Sequence, residues 1–134
     1  MRTLLGLTAA AVIAVSGAVP AAADPTVWRW GPVRSTDGHA EAAGKVAAGQ
    51  SGLVVSGTLA DTRGAGCSWV QIKGMSSENG RWRTASAGAC VPGTKGFRRD
   101  VGGVLHIRVR VCRGTATGPT GRCSRWRTVY TQGG

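Results

Sequence analysis

The sequence is poor in the residues that most enzyme sites need. It contains 2 histidines and 6 acidic residues among 134 positions. His39 and His106 are far apart, and no cysteine pair has C-x-x-C spacing, so the pattern of a zinc site is missing. No glycine-rich phosphate loop or paired-carboxylate motif occurs either. We therefore predict no catalytic residue, no metal and no cofactor.

After its first residues the sequence has no long apolar run. Residues 4–19 are apolar or small, Arg2 precedes them, and Pro-Ala-Ala-Ala at residues 20–23 ends in an A-x-A pattern. This combination predicts a secretory signal peptide over residues 1–23. The run is too short to span a membrane comfortably, since a spanning helix needs about 20 apolar residues. We predict that residues 24–134 form a single secreted domain without a membrane span.

Acidic residues are scarcest in the second half of the chain. The sequence holds 17 Lys and Arg against 6 Asp and Glu, a formal charge of +11, and loss of Arg2 with the leader leaves +10. From residue 62 onward, 13 basic residues and only two acidic ones, Glu78 and Asp100, give +11. Such an excess concentrates polyanions around a protein. The expected partner is a cell-wall polymer, an acidic polysaccharide or an acidic protein, with extracellular nucleic acid also open and the oligomeric state undetermined.

Four cysteines follow the predicted leader: Cys67, Cys90, Cys112 and Cys123. In an exported chain an even number of cysteines indicates a disulfide framework. Residues 105–112 and 123–130 both alternate like strands and are joined by a Gly-, Thr- and Pro-rich stretch with loop chemistry. This predicts an antiparallel hairpin closed by Cys112–Cys123. Cys67 and Cys90 are then left to close a second hairpin, whose turn contains Asn79-Gly80.

Short alternating segments separated by glycines make up the rest of the chain. Residues 53–59 alternate as a strand. Residues 39–48 carry mixed signals: alanines and the spacing of Glu41 and Lys45 favour a helix, whereas Gly44 and the strand-rich surroundings favour a strand, which we prefer. About seven short strands without a clear amphipathic helix predict an all-β fold, an antiparallel two-sheet β-sandwich.

The predicted C-terminal hairpin places arginines on one face. With its two cysteines opposite each other, Arg110 faces Arg125 and Arg108 faces Arg127. Like charges directly opposite each other disfavour a strand pair by up to about 1 kcal/mol, and a bound anion relieves the repulsion. We therefore predict an anion-binding site formed by these four arginines. The simpler interpretation is a solvated strand face.

Two other functions stay open. The loop from Gly114 to Arg122, clamped by the Cys112–Cys123 disulfide, has the form in which a small exported inhibitor presents a rigid segment to a secreted hydrolase. A small secreted nuclease would use His106 as a neutral base beside the strand arginines, with a carboxylate such as Glu78. No motif supports the nuclease.

The five tryptophans divide between core and surface. Trp82 and Trp126 lie in the middle of predicted strands, and we expect them in the core. Trp28, Trp30 or Trp69 could provide surface platforms for sugars or bases. The side of the sheet on which Trp69 lies is undetermined, since Val70 and Ile72 alternate with it.

Several segments resemble small secreted actinobacterial proteins of unknown function. They are residues 55–64, 67–70 (Cys-Ser-Trp-Val), 109–113 and 123–126 (Cys-Ser-Arg-Trp). The resemblance implies a disulfide-stapled β domain and no particular activity. In size and paired cysteines the chain is also similar to neocarzinostatin-like apoproteins, β-sandwiches that bind chromophores. Those domains are acidic and space their disulfides differently, so that resemblance assigns no site residue here.

Overall fold

Strands account for most of the computed structural model, which describes residues 26–62 and 64–133. The nine strands in these residues are β1 (Val27–Arg34), β2 (Ala40–Gly49), β3 (Gly52–Asp61), β4 (Cys67–Ser76), β5 (Trp82–Ala89), β6 (Gly93–Gly102), β7 (Val104–Thr115), β8 (Gly118–Gly121) and β9 (Arg127–Thr131). No helix suited to crossing a bilayer by length and apolarity occurs among them. The predicted signal peptide, residues 1–23, lies outside the described residues.

Two antiparallel sheets form the domain. The first has the strand order β1-β2-β3-β6, and the second has the order β5-β4-β7-β8, with β9 also pairing with β7. The predicted all-β, two-sheet fold is confirmed, with nine strands in the described residues instead of seven. The strand preferred for residues 39–48 is present as Ala40–Gly49: Ala40, Ala42 and Val46 are buried at alternating positions, which is the period of a sheet and not of a helix.

The core lies between the inner faces of the two sheets. On β7 the inner residues alternate with polar ones, and Ile107, Val109 and Val111 are fully buried. Val70 and Ile72 of the adjacent β4 are buried in the same way, which places Trp69 on the outer face. Burial of each such side chain stabilises the fold by about 1.5–3 kcal/mol. The inner phases of β4 and β7 therefore determine which of their residues reach the outer surface.

Both predicted disulfides are confirmed. Cys67, the first residue of β4, is bonded to Cys90, which follows β5. Cys112 in β7 is bonded to Cys123, which lies between β8 and β9. Each bond therefore links strands, or strand ends, within the second sheet.

The stretch between Cys112 and Cys123 is not the open loop that its composition predicts. β7 continues to Thr115, and β8 returns beside it, with Gly114 opposite Pro119. The close approach is possible because Gly114 has no side chain: a Cβ there would overlap the Gly118 carbonyl oxygen. Proline is tolerated because β8 is an edge strand, where one N–H is not needed for the ladder.

The register between β7 and the chain after Cys123 also differs from the prediction. Ser124 lies opposite Val111: its N–H donates to the Val111 carbonyl (2.8 Å), and its hydroxyl accepts from the Val111 N–H (3.0 Å). Regular pairing resumes only at Arg127, which is opposite Val109. The predicted pairing of Arg127 with Arg108 is wrong, because an extra residue before β9 moves Arg127 by one position.

Candidate anion-binding site

Arg108 and Arg110 lie together on the outer face of the second sheet. They alternate with the buried Val109, so their side chains point away from the core. Arg127, opposite Val109, is on the other side of the sheet, since paired residues of antiparallel strands share a face. Arg125 is exposed and belongs to no strand, so it has no paired position opposite Arg110. The shift in register thus removes Arg127 from the predicted set of four.

Lys73 joins the two strand arginines on this outer face. It is paired directly with Arg108, and the neighbouring Gln71 is paired with Arg110. Nε of Arg110 donates to Oε1 of Gln71 at 2.7 Å, which fixes the guanidinium above the sheet. Lys73 opposite Arg108 is a pair of like charges, and such pairs destabilise a sheet by up to about 1 kcal/mol. The charge repulsion predicted for the hairpin is therefore present between different strands.

Two tryptophan rings lie among these cations. Nζ of Lys73 is 4.3 Å from the ring centre of Trp126 and 5.0 Å from that of Trp82. The Arg110 guanidinium is 4.5 Å from the Trp126 ring, and the Arg108 guanidinium is 5.0 Å from the Trp82 ring. Each such contact contributes about 0.5–1 kcal/mol at an exposed site. We call Lys73, Trp82, Arg108, Arg110 and Trp126 the cation–aromatic face.

The tryptophans are distributed differently from the prediction. Trp82 is 38% exposed, and Trp126 is half-buried against outer-face cations, so their assignment to the core is wrong. Trp30 is instead buried, and Trp28 packs edge-on against Tyr130 with ring centres 4.8 Å apart. Strand alternation identifies two faces but does not say which one is inner, and that choice depends on the facing sheet.

Trp69 closes one end of the outer face. Its Nε1 donates to the Thr115 carbonyl at 2.8 Å. Its ring covers Gly88 of β5, where a Cβ would lie 2.8 Å from the indole. Trp69 is thus fixed by a glycine below it and a carbonyl beside it, which leaves it little freedom to act as a platform.

Within the described residues, the cations of the cation–aromatic face have no acidic partner within 4.0 Å. In the part of the chain that the structure describes, ion pairs within 4.0 Å involve only Arg34, Arg98 and Arg113. Lys73, Arg108 and Arg110 therefore contact two indole rings and one amide but no described carboxylate. A phosphate, sulfate or carboxylate group would find three positive charges here, two of them on arginines that can donate paired hydrogen bonds.

The position of Trp126 depends on a tethered, irregular segment. Residues 122–126 lie between β8 and β9 and belong to neither strand. Cys123 is bonded to Cys112, and Ser124 makes its two hydrogen bonds to Val111. The segment therefore follows β7 closely enough to place the Trp126 ring beside Arg110. Sequence reasoning missed this ring because it treated the segment as a regular strand.

At one end of the sandwich a buried ion pair joins the two sheets. Arg113 is 7% exposed and Asp61 4% exposed. Nη1 of Arg113 lies 2.6 Å from Oδ1 of Asp61 and donates to the Ser68 hydroxyl at 2.8 Å. Nη2 donates to the Ala65 carbonyl at 2.8 Å. One guanidinium, that of Arg113 in β7, thus links three other parts of the chain. They are the end of β3, the turn after it and the start of β4.

The sequence contains a signal for this ion pair in the alternation of β7 and β3. Arg113 continues the inner phase of Val109 and Val111, and Asp61 continues the inner phase of Leu59. A charged residue that ends a row of inward-facing apolar positions on a strand needs a buried partner of opposite charge. The two strands carry opposite charges at such positions, so the pairing is recognisable once both phases are assigned.

Asp37 extends the buried ion pair towards the surface, with its Oδ2 3.6 Å from Nε of Arg113. Burial by itself would raise the pKa of Asp37. Hydrogen bonds from the Ser35 hydroxyl (2.6 Å) and the His39 backbone N–H (3.0 Å), with the charge of Arg113, outweigh burial and hold the pKa below its ordinary value of 3.8. The folded protein therefore binds this proton more weakly than the unfolded chain does.

This lowered pKa predicts a dependence of stability on pH. The contribution of Asp37 is fully present above its ordinary pKa and is lost as the pH falls through the lower folded pKa. We expect the wild-type protein to be more stable than Asp37→Asn at about pH 6, and the difference to shrink below about pH 3. Urea unfolding at a series of pH values measures this. A constant difference across the series would contradict the assignment.

The two histidines make local contacts with threonines. His106 Nδ1 lies 3.4 Å from the Thr131 hydroxyl, and His39 Nδ1 lies 2.9 Å from the Thr62 hydroxyl. No group of three or more His, Cys, Asp or Glu side chains that could hold a metal ion occurs in residues 26–62 and 64–133. Among these residues, no carboxylate forms a hydrogen bond with either imidazole.

Comparison with known proteins supplies no relative. No family model matches the chain, and no curated protein or solved structure matches it. The functional argument therefore rests on the charge of the chain and on the geometry of its faces.

Proposed function

We propose that this chain is a secreted, non-enzymatic domain that binds an anionic polymer, such as a cell-wall polymer or an acidic polysaccharide, through the cation–aromatic face. One observation carries the proposal: Lys73, Arg108 and Arg110 share a sheet face with no described carboxylate within 4.0 Å. The two disulfides support secretion, because such bonds persist in oxidising compartments.

The arrangement favours charge recognition over stacking. Proteins that stack bases need aromatic rings with free faces. Here a lysine and an arginine lie over each of the two rings, Trp82 and Trp126. The rings therefore hold the cations in place, and the cations are the groups that would bind the ligand. This arrangement favours a polymer recognised by its repeated anionic groups over one recognised by its bases.

The shape of the site also favours an extended ligand. Arg108 and Arg110 are two residues apart on one strand, which separates their Cα atoms by about 6–7 Å. Lys73 is beside Arg108 on the neighbouring strand. Cations in a row along and across a sheet can bind successive charges of a polymer, whereas a small ligand would meet only one or two of them. An acidic protein segment would satisfy the same charges, and the test below includes one.

The test compares the oxidised wild-type domain with Lys73→Gln/Arg108→Gln/Arg110→Gln. Binding to heparin, extracted anionic cell wall, duplex DNA, anionic vesicles and polyglutamate is measured by titration across a salt series. We expect steep salt dependence for at least one polymer, since counterions are released on binding. The triple variant should bind that polymer at least about tenfold more weakly, because hydrogen bonds to charged groups contribute about 1.5–3 kcal/mol each.

A matched control removes three charges elsewhere. Arg34→Gln/Arg83→Gln/Arg98→Gln has the same net charge, and all three arginines are exposed. It should keep nearly wild-type affinity. Equal losses in both triple variants would show that net charge, and not this face, drives binding. Binding of no polymer by the wild-type protein would overturn the proposal and leave the 114–122 hairpin, as an inhibitory segment, the alternative to test.

A further inference from the structure

The outer face of the first sheet, on the opposite side of the sandwich, has a depression of about 430 Å³. Arg29 of β1 is paired with Lys45 of β2, and Lys45 is paired with Ser56 of β3. Both cations are exposed, and Thr58 lines the depression beside them. Two basic and two hydroxyl-bearing residues from three strands therefore line one depression.

None of these four side chains is engaged by the rest of the described chain. Arg29 and Lys45 have no carboxylate within 4.0 Å among residues 26–62 and 64–133. Two other exposed arginines of the same sheet differ in this respect: Arg34 pairs with Glu41, and Arg98, which lies opposite Ser56, pairs with Asp100. Arg29 opposite Lys45 is again a pair of like charges, which costs up to about 1 kcal/mol unless an anion offsets it.

Two glycines line the depression with backbone only. Gly44 and Gly57 line it and are paired with each other across β2 and β3. Their backbones approach so closely that a Cβ on Gly44 would overlap the Ser56 carbonyl oxygen, and one on Gly57 would overlap the Ala43 carbonyl oxygen. Because they alternate with the outward-facing Lys45 and Ser56, a side chain at either position would point to the core, where the rings of Trp30 and Phe97 meet.

We propose that this depression is a second anion site, independent of the cation–aromatic face, which takes a single phosphate or sulfate group. The Arg29 guanidinium can donate two hydrogen bonds to such a group at once, and the Lys45 ammonium supplies a point charge. The hydroxyls of Ser56 and Thr58 can donate to its remaining oxygens. The group is either a free ion or one carried by a polymer.

The experiment titrates the isotope-labelled protein with inorganic phosphate and with sulfate at constant ionic strength, using chloride as the balance. The readout is the NMR shifts of the amides of Gly44, Ser56 and Gly57. We expect saturable shifts at these three amides in the wild-type protein. Arg29→Gln/Lys45→Gln should weaken this binding at least about tenfold, because two charge-assisted interactions are removed.

The control variant is Arg34→Gln/Lys95→Gln, which removes two charges from the same sheet and should keep the saturable shifts, because neither residue lines the depression or is paired with a residue that does. Shifts that do not saturate, or that persist in Arg29→Gln/Lys45→Gln, would overturn the second site. A dispersed amide spectrum of each variant verifies its fold. Ser56→Ala gives an independent reading, with weaker binding expected and the charge unchanged.

A second arm identifies the source of the anion. Heparin fragments and inorganic sulfate are added separately to Lys73→Gln/Arg108→Gln/Arg110→Gln, in which the cation–aromatic face is disabled. Tighter binding of the fragment than of sulfate at the same three amides indicates a polymer-borne group, and equal binding indicates the free ion. Because this triple variant lacks the charges of the cation–aromatic face, any binding that it shows at the three amides is due to the second site. A failure of the proposed polymer site can therefore be distinguished from a failure of the second site.

Discussion

Replacing Arg113 with methionine should lower the free energy of unfolding by about 3–5 kcal/mol, the largest effect that we expect from one substitution. Asp61 is almost fully buried, and the Arg113 guanidinium, 2.6 Å away, is its charged partner. Without Arg113, the Ser68 hydroxyl is the one side-chain donor that the described residues leave to this carboxylate, at 2.6 Å. A buried charge without a counter-charge is destabilising, because the free energy of hydration that it loses on burial is not replaced by an ion pair. Urea unfolding at neutral pH measures the change.

A double variant separates the loss of charge balance from the loss of packing. Arg113→Met combined with Asp61→Asn removes both charges, so it should be more stable than Arg113→Met alone. Arg34→Met is the matched control, since Arg34 pairs with Glu41 at the surface, where an ion pair contributes about 0–1 kcal/mol. If Arg113→Met costs no more than this control, the buried pair is not a structural anchor.

Loss of either disulfide should cost about 3 kcal/mol of stability. The bonded cysteines are 23 residues apart in Cys67–Cys90 and 11 residues apart in Cys112–Cys123. In the chain-entropy model the loss grows only with the logarithm of loop length, so the two losses should be similar. Replacing each cysteine pair by serines and measuring urea unfolding tests this. A loss below about 1 kcal/mol for both pairs would contradict it.

The same two variants should differ in ligand binding. Cys112–Cys123 tethers the segment that places Trp126 beside Lys73 and Arg110. Its removal should release this ring and weaken polymer binding, measured where both variants are folded. The Cys67–Cys90 variant is the control, because that bond joins the start of β4 to the end of β5 and leaves the Trp126 segment tethered. Equal affinities of the two variants would show that the ring position does not matter for binding.

About half of the candidate site could be predicted from the sequence. Arg108 and Arg110 were predicted from alternation within one strand, which is local and does not depend on the rest of the fold. Lys73 and Trp82 could not be predicted, because they lie on β4 and β5, and their distance from the arginines depends on which strands are neighbours. Trp126 was missed for another reason: the residues before β9 leave the regular pattern that the alternation assumes.

The sequence by itself determined the class of fold, the two cysteine pairs and the concentration of positive charge after residue 62. Each of these follows from local patterns or from counting, which need no knowledge of distant neighbours. Only the tertiary structure decided which faces are inner, where Arg113 finds Asp61, and that Arg127 lies on the opposite side of the sheet from Arg108. The physical reason is register: pairing is set between distant segments, and one extra residue before β9 moves Arg127 to the other face.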